Sequence, residues 1–499
     1  MSPLRLVSLS ASHLRYHSIS MSDASTPVIS PVTARFAPSP SGYLHLGNAR
    51  TALLSYLAAR HVGGRFVLRV EDTDEARSEE IYLQSLLSDL RWFGLTWDEG
   101  PDMGGPHAPY RQRDRRATYD AQLQKLDGAG LTYPCYCTNV ELNIVRRSQL
   151  NAGQPPRYAG TCRNLTPAQR ADKETKGLQG AIRFRVPAGK AVTFRDVVHG
   201  EQRFMSDDIG DFIIRRADGS AAFFFSNAID DALMGITLVL RGDDHLANTP
   251  RQLMLLDALG LPKPDYAHVA LLLGLDGSPL SKRHGSTSLH EFRERGFLPE
   301  ALRNHLVRLG HACGIDGFMD DAAMIADFKV SRLGRAAAKF DEVQLRHWQK
   351  EAVAALSPER LQAWLAPQLP QGLPPEELAT FCTAVRGNVE VPADVAPWVE
   401  VVFGKKMPIA DDARAAIQAA GADFFTTAAS LYERSGPDIK ALTKELGAAT
   451  GKKGPALYMP LRAALTGVTH GPELGPILKM LWPEKVVSRF QHAKQIATL

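Results

Sequence analysis

The first candidate for chemistry is the segment at residues 35–48, which reads RFAPSPSGYLHLGN. A short run containing Arg35 enters a loop of proline, serine and glycine, and His45 and Gly47 follow directly before a predicted helix. A helix N-terminus carries partial positive charge and unpaired N–H groups, which suit a phosphate. The spacing predicts a nucleotide-phosphate site, although a His-x-Gly by itself also fits a plain turn before a helix.

A second candidate is the basic loop at residues 277–285, which reads GSPLSKRHG. Its adjacent cations, Lys282 and Arg283, lie between glycines and could fold over the negative charge that develops on a pyrophosphate leaving group. Taken alone, the same loop also fits a solvated surface segment.

The third candidate is the segment at residues 239–252, which reads VLRGDDHLANTPRQ. A β-rich run ends near Arg241 and is followed by polar residues. In open parallel sheets, ligands bind outside the carboxyl ends of the strands. The segment therefore predicts polar groups at a ligand-binding sheet edge.

The cysteines indicate a metal rather than a disulfide framework. The chain has only 5 cysteines among 499 residues, which is too few for a disulfide scaffold. Cys135, Cys137 and Cys162 are closely spaced, and thiolates in a reducing compartment are typical zinc ligands. Zinc needs four ligands, so a further one has to come from elsewhere.

The elements that must position these groups form a strand–helix–strand pattern. A short strand is predicted at residues 35–37, and a helix begins near Asn48, with apolar residues at helical spacing between 49 and 57. A second strand is predicted at residues 66–70, directly before the acidic cluster at 71–74. This order predicts a parallel sheet, with the loop after the first strand and the acidic cluster at its carboxyl edge.

The bulk composition is that of a globular chain of two to four domains. A net charge of +4 neither requires nor opposes nucleic-acid binding. No run of about 18 apolar residues occurs, so no membrane span is predicted. The sequence of residues 118–225 indicates an insertion, with a strand predicted at 181–186. Helices with proline-marked starts dominate from about residue 340; examples are 358–369, 375–385 and 423–434.

Together and in this order, the three segments resemble the class I aminoacyl-tRNA synthetases, whose HIGH and KMSKS signatures match residues 45–48 and 279–283. More closely, the chain resembles the bacterial-type glutamate–tRNA ligases. The runs RVEDTD at 69–74, EGPDMGGPHAPYRQ at 99–112 and LSKRHG at 280–285 carry that similarity. It extends from about residue 35 to the C-terminus and is strongest up to residue 341.

The resemblance implies a two-step reaction. Glutamate attacks the α-phosphate of ATP to give glutamyl-adenylate and pyrophosphate, and the terminal adenosine of tRNA then accepts the glutamyl group. The family's ATP-binding positions correspond to Pro38, Ser39, Pro40, His45, Gly47, Asn48, Leu280, Ser281, Lys282 and Arg283. His45 and Lys282 would stabilise the phosphates, with Mg²⁺ bridging them. No covalent nucleophile is required, because positioning and charge stabilisation suffice.

The family's glutamate-binding positions correspond to Arg35, Ala37, Ser39, Glu71, Phe223, Asn227 and Arg241. Glu71 would hold the substrate ammonium. We expect Arg35 to hold the side-chain carboxylate and Arg241 the second anionic contact, although the two roles could be exchanged. Three positions depart from the family's pattern: Asn48 replaces the last histidine of HIGH, Pro279 replaces the first lysine of KMSKS, and Phe223 stands where relatives often have tyrosine.

The resemblance also suggests how the zinc site could be completed. Relatives with zinc use three cysteines and either a histidine two residues after the last cysteine or a tyrosine four residues before it. Residue 164 is asparagine, whereas Tyr158 fits the second pattern. We therefore predict zinc on Cys135, Cys137, Tyr158 and Cys162, with a metal-free thiol cluster as the alternative.

The predicted domain order follows the same resemblance. Residues 1–30 form a disordered or targeting extension, 31–117 the first half of a Rossmann-like α/β catalytic domain, and 118–225 an inserted domain that holds the tRNA acceptor end. Residues 226–340 form the second catalytic half and the region that contacts the tRNA stem, and 341–499 an α-helical anticodon-binding domain. We expect a monomer whose partners are L-glutamate and tRNA(Glu), with tRNA(Gln) left open as a second substrate.

The first residues have two interpretations. They are rich in serine and contain Arg5 and Arg15 but no acidic residue before Asp23, which fits a mitochondrial presequence. Alternatively Met21 is the true start, and we favour this reading. The expected location is therefore the cytoplasm, or the mitochondrion if a presequence is present.

Other functions remain as alternatives. A truncated paralogue that glutamylates a modified base lacks the C-terminal half found here, and a glutamine-specific enzyme would have a β-rich C-terminal half. A catalytically inactive tRNA-binding protein would not need His45, Lys282, Glu71 and Arg241 together.

Overall fold

The computed structural model describes residues 32–73, 79–280, 285, 287–405 and 407–499. The expectations about an N-terminal extension and about Ser281, Lys282 and Arg283 lie outside these residues. The strands are β1 (Thr33–Phe36), β2 (Arg65–Leu68), β3 (Thr132–Cys135), β4 (Ala181–Phe184), β5 (Ala191–Asp196), β6 (Gly200–Met205), β7 (Phe212–Arg215), β8 (Leu238–Gly242), β9 (Asp265–Val269), β10 (Leu272–Leu273) and β11 (Ala338–Lys339).

The helices alternate with strands up to residue 273 and dominate thereafter. They are α1 (Leu46–His61), α2 (Glu80–Trp92), α3 (Arg116–Gly128), α4 (Asn139–Asn151), α5 (Pro167–Thr175), α6 (Ser206–Ile209), α7 (Phe223–Leu233), α8 (Thr249–Leu259), α9 (Leu289–Glu294), α10 (Pro299–Arg308), α11 (Asp321–Asp327), α12 (Glu342–Ala355), α13 (Pro358–Leu365), α14 (Pro375–Val385), α15 (Ala396–Val402), α16 (Asp411–Ala420), α17 (Ala422–Ser435), α18 (Ile439–Thr450), α19 (Pro455–Thr466), α20 (Leu474–Met480) and α21 (Pro483–Ile496).

The central sheet has six strands in the order β2-β1-β8-β9-β5-β6. Strands β2, β1, β8 and β9 are parallel, and α1 connects β1 to β2. The predicted Rossmann-like parallel sheet is therefore confirmed. Because the strands are parallel, the carboxyl ends of β1, β8 and β9 meet at the same edge of the sheet.

The segment at 118–225 contributes to two sheets. Strands β3, β4 and β7 form a separate antiparallel sheet. The hairpin β5–β6 instead joins the central sheet, because Asp196 of β5 pairs in parallel with Tyr266 of β9. Part of the segment at 118–225 thus forms one side of the central sheet, which the sequence did not indicate.

Helix α1 begins earlier than the predicted start near Asn48. Its N-cap is His45, whose backbone is extended at φ −71° and ψ 147° and whose Nδ1 accepts a hydrogen bond from the Gly47 N–H at 3.2 Å. An imidazole nitrogen acts here as the capping acceptor that serine or aspartate usually provides. His45 is therefore held at the helix N-terminus by its own ring.

The C-terminal part is helical from α12 onward, as predicted. Helix α14 has the predicted bounds, α17 extends the predicted helix by one residue at each end, and α13 ends at Leu365 in a short 3₁₀ turn. One apolar core runs from α1 and β1 through these helices, and includes Leu46 and Phe490. Among the described residues, every helix is too short or too polar to cross a membrane.

Candidate active site

A cleft of about 530 Å³ opens at the carboxyl edge of the central sheet. It is bounded by the loop after β1, the start of α1, the start of α7, the end of β8 and the segment after β9. The residues predicted to bind glutamate all line it: Arg35, Ala37, Ser39, Glu71, Phe223, Asn227 and Arg241. Residues far apart in the chain thus converge on one cavity of a size typical of small-ligand sites.

Most of the positions predicted for ATP line the same cleft. They are Pro38, Ser39, His45, Gly47, Asn48 and Leu280. Pro40 is not among the lining residues; it is buried, and its carbonyl accepts a hydrogen bond from the Glu79 N–H at 3.2 Å. The roles of Ser281, Lys282 and Arg283 stay predictions of the sequence.

An acidic group in the cleft is held by a buried charge network. Arg69 is fully buried and contacts Asp231 at 2.7 Å and Glu71 at 3.3 Å. The amide of Asn227 also donates to Glu71. Burial raises the pKa of the Glu71 carboxyl, although Arg69 opposes the rise. Glu71 is thus a partly desolvated carboxylate that faces the cleft, as a binding group for a cation should be.

The two predicted arginines differ in their partners. Arg35 donates from Nε to Asp231 at 3.1 Å, so a buried carboxylate already balances its charge. Arg241 instead donates to neutral groups: Nε to His268 at 3.1 Å, and Nη2 to Thr249 at 2.9 Å and Gln252 at 2.7 Å. Only one of the two guanidinium charges is therefore compensated by an ion pair within the described chain.

Arg241 also has an unused donor. Its Nη1 is buried and has no hydrogen-bond partner among the described residues. Burial lowers the pKa of Arg241 to about 10, so the group stays protonated at neutral pH. A buried cation with an unsatisfied donor in a ligand cleft is costly unless a ligand completes it. A carboxylate is the complementary group.

Several residues of this network were missed by sequence reasoning. Asp231 lies one helical turn after Asn227 on α7, and this i, i+4 spacing was an available signal. Gln252 lay in the polar segment at 239–252 but was not singled out there, and His268 and Asp196 gave no signal, because they are 72 positions apart in the chain. Arg50 and His245 also line the cleft.

Phe223 keeps the shape of the cleft without adding a polar group. Its ring packs against the imidazole of His245, with 5.4 Å between ring centroids. A tyrosine would carry a hydroxyl at the tip of the same ring, so the substrate has to find its polar contacts elsewhere in the cleft.

The cysteine cluster lies apart from the cleft, next to β3. The thiol sulfurs of Cys137 and Cys162 are 3.7 Å apart, and the Tyr158 hydroxyl lies 3.4 Å from Cys135 and 3.5 Å from Cys137. In tetrahedral zinc with bonds of about 2.3 Å to sulfur, ligand sulfurs lie about 3.8 Å apart. The donor set and its spacing therefore fit zinc, with Cys135, Cys137, Cys162 and Tyr158 as the holding residues.

A buried cation accompanies this cluster. The Arg183 guanidinium lies 3.6 Å above the Tyr158 ring and lowers the pKa of the Cys135 thiol, against the opposing effect of burial. Positive charge beside the Cys135 thiol favours its thiolate, which is the metal-binding form. Burial raises the pKa of the Cys137 thiol to about 11 and also raises the pKa of the Tyr158 hydroxyl, so these two donors would release their protons on binding a metal.

Comparison with known proteins agrees with the geometry. The family model "tRNA synthetases class I (E and Q), catalytic domain" matches residues 31–347, and an "Anticodon binding domain" model matches 357–494. Glutamate–tRNA ligase 2 of Nitrosococcus oceani is 52% identical over 458 residues, covering 92% of this chain and 97% of the relative. Glutamate–tRNA ligase 1 of Halorhodospira halophila is 52% identical over 466 residues, covering 93% and 97%.

Solved structures give the same result. A glutamate tRNA ligase from Elizabethkingia meningosepticum, crystallised in complex with its amino acid, superposes with a TM-score of 0.84 at 27% identity, covering 93% of this chain and 99% of that chain. Sequence identity along nearly the whole chain and the shared fold agree with the motifs and the cleft. The chain belongs to the glutamate–tRNA ligases of the class I aminoacyl-tRNA synthetases.

Proposed function

We propose that this chain activates L-glutamate with ATP and transfers it to the 3′ end of tRNA(Glu). The observation that carries the proposal is the pairing, in one cleft, of the buried carboxylate Glu71 with the uncompensated cation Arg241. Glutamate brings an ammonium and two carboxylates, which match Glu71, Arg241 and Arg35 in sign. The relatives named above are glutamate–tRNA ligases, in keeping with this substrate.

In this proposal the chain's residues catalyse by placement and charge. His45, capping α1, meets the phosphates of ATP at the helix N-terminus, which carries partial positive charge. Lys282 contributes a cation, and Mg²⁺ enters with ATP. The network around Arg69 holds Glu71 rigid, so the substrate's amino group is oriented before reaction.

The two guanidinium groups can be assigned to the two carboxylates. Arg35 is tied to Asp231, whereas Arg241 has a donor to spare. The geometry thus favours exchanging the roles expected from the sequence, with Arg241 on the side-chain carboxylate and Arg35 on the second anionic contact.

The proposal is tested by charging. Purified protein should attach glutamate to tRNA(Glu) in an ATP-dependent reaction, and glutamine should not replace glutamate. Parallel reactions with tRNA(Gln) show whether this second tRNA is also a substrate. Failure to charge either tRNA with glutamate, in a protein that melts cooperatively, would overturn the proposed function.

Zinc is proposed as a structural ion on Cys135, Cys137, Tyr158 and Cys162. It would tie β3 to the loop at 158–162 and take no part in the reaction, since the cluster lies apart from the cleft. We expect elemental analysis of protein purified without chelator to give about one zinc per chain. Cys137→Ser should lower both the zinc content and the melting temperature.

A matched control is available in the helical part. Cys382 is a buried cysteine on α14, outside the cluster, so Cys382→Ala should leave the zinc content unchanged. Metal-free protein with full charging activity and an unaltered melting temperature would rule the zinc site out.

A further inference from the structure

A hydrogen-bonded chain leads from the insertion to the substrate-facing arginine. His268 of β9 lies beside Arg241 of β8 in the sheet register, and its Nε2 lies 3.1 Å from the Arg241 Nε. The other ring nitrogen, Nδ1, lies 2.6 Å from Oδ2 of Asp196. Asp196 belongs to β5, the strand that the insertion adds to the central sheet.

The chemistry of arginine determines which nitrogen of His268 carries the proton. A guanidinium has donors but no acceptor, so the Nε2 that faces Arg241 must be an unprotonated acceptor. The ring proton therefore lies on Nδ1 and is donated to Asp196. All three side chains are buried, and His268 is 0% exposed, so water cannot replace either bond.

Asp196 is itself held in place. Its Oδ1 accepts hydrogen bonds from the backbone N–H groups of Val198 at 2.9 Å and His199 at 2.8 Å. Its Oδ2 accepts one from the backbone N–H of His268 at 3.1 Å, in addition to the bond from the ring. The carboxylate is thus ionised, desolvated and aimed at one ring. Every bond around it favours a single orientation of the imidazole.

The imidazole also orients Arg241 without neutralising its charge. A carboxylate in direct contact with Arg241 would neutralise the cation, as Asp231 does for Arg35. A neutral acceptor orients the guanidinium without an ion pair, and the negative charge of Asp196 stays one ring away. Arg241 thereby keeps its charge and its Nη1 donor for a ligand.

We infer that Asp196 and His268 are positioning residues that orient Arg241 for the substrate's carboxylate, so that a carboxylate from the insertion contributes to amino-acid specificity. This inference rests on the proposed function. It assigns to the insertion a role in the amino-acid site, in addition to its expected contact with the tRNA acceptor end.

The diagnostic variant is Asp196→Asn. Its remaining oxygen can still accept from Val198 and His199, but its amide would donate to His268 and move the ring proton to Nε2, against the Arg241 N–H. We expect kcat/KM for glutamate to fall about 10²-fold, the scale of one lost hydrogen bond to a charged group. The preference for glutamate over glutamine should shrink, and the KM values for ATP and tRNA should stay unchanged.

A double-mutant cycle separates positioning from simple damage. In a His268→Leu background no ring remains to transmit the change from Asp196 to Arg241, so adding Asp196→Asn should change the glutamate preference by less than threefold. Asp196→Asn also removes the hydrogen bond from the backbone N–H of residue 268 to Oδ2 of residue 196. This loss occurs in both backgrounds, so its contribution cancels in the cycle. Equal losses in both backgrounds, or a loss that appears only as a raised KM for ATP, would overturn the inference.

Controls keep the outcomes distinct. Asp208→Asn alters an exposed carboxylate of the same insertion and should leave every parameter unchanged. If Asp196→Asn does not fold, the test uses His268→Gln and His268→Leu instead. His268→Gln keeps an acceptor for Arg241 and should therefore retain more of the glutamate preference than His268→Leu. An equal loss of preference in the two variants would refute the inference. If the unaltered protein charges tRNA with glutamate and these variants have normal kinetic constants, the inference is wrong and the proposed function stands. If the unaltered protein does not charge tRNA at all, the proposed function is wrong.

Discussion

Arg241→Gln should lower kcat/KM for glutamate by about 10²–10³-fold and nearly abolish the preference for glutamate over glutamine. The two amino acids are nearly isosteric, so charge rather than shape has to separate them. Leaving a charge unpaired in a buried site costs about 3–5 kcal/mol, and each 1.4 kcal/mol is about tenfold. The measurement is charging of one tRNA with each amino acid, by the variant and the unaltered protein.

Two further variants sharpen this result. Arg241→Lys keeps the charge but loses the planar fork, so it should lose activity while retaining more of the preference for glutamate. Arg35→Gln should also lose activity, because it leaves Asp231 with one arginine fewer, but should retain the preference. If instead Arg35→Gln abolishes the preference and Arg241→Gln preserves it, the assignment expected from the sequence is the correct one.

Glu71→Gln should raise the KM for glutamate by about 10²-fold or more. The substitution keeps the size of the side chain and removes the negative charge opposite the substrate ammonium, on the scale of a buried pair that loses one partner. Arg69 retains Asp231 at 2.7 Å and Asp230 at 3.8 Å, so the buried network keeps its counter-charges. Steady-state charging at varied glutamate concentration measures the effect.

A ligand without an amino group distinguishes a contact with the ammonium from general damage. Glutarate has both carboxylates of glutamate but no ammonium, so its inhibition constant should be unchanged in Glu71→Gln. Glu376→Gln, an exposed acid on α14, is the matched control and should leave all constants unaltered. If Glu71→Gln weakens the binding of glutarate as much as that of glutamate, Glu71 only supports the fold.

Much of the fold and part of the site could be predicted because their signals are local. The strand–helix–strand pattern around His45 follows from apolar spacing over a few residues, and the parallel sheet follows from that order. The cap of α1 was misplaced because a histidine ring does the work usually done by serine, threonine, asparagine or aspartate. Segments such as 358–365 and 375–385 were found because proline marks their first turns.

The sequence by itself determined which residues come to the cleft. Strand ends and the loops after them carry Arg35, Glu71 and Arg241, and parallel pairing brings such ends to one edge whatever the details of packing. The cysteine cluster was also predictable, since Cys135, Cys137 and Cys162 are closely spaced in the chain and their sulfurs lie together in the structure.

Only the tertiary structure decided what each of these residues does. Asp231 is separated by 196 positions from Arg35, and Asp196 by 72 from His268, yet these contacts set which guanidinium is neutralised and which remains available. Periodicity reports whether a side chain is buried, not which partner it meets. The net charge that a site offers to a ligand depends on all the buried groups around it. These groups come together only when the strands pair in the folded protein.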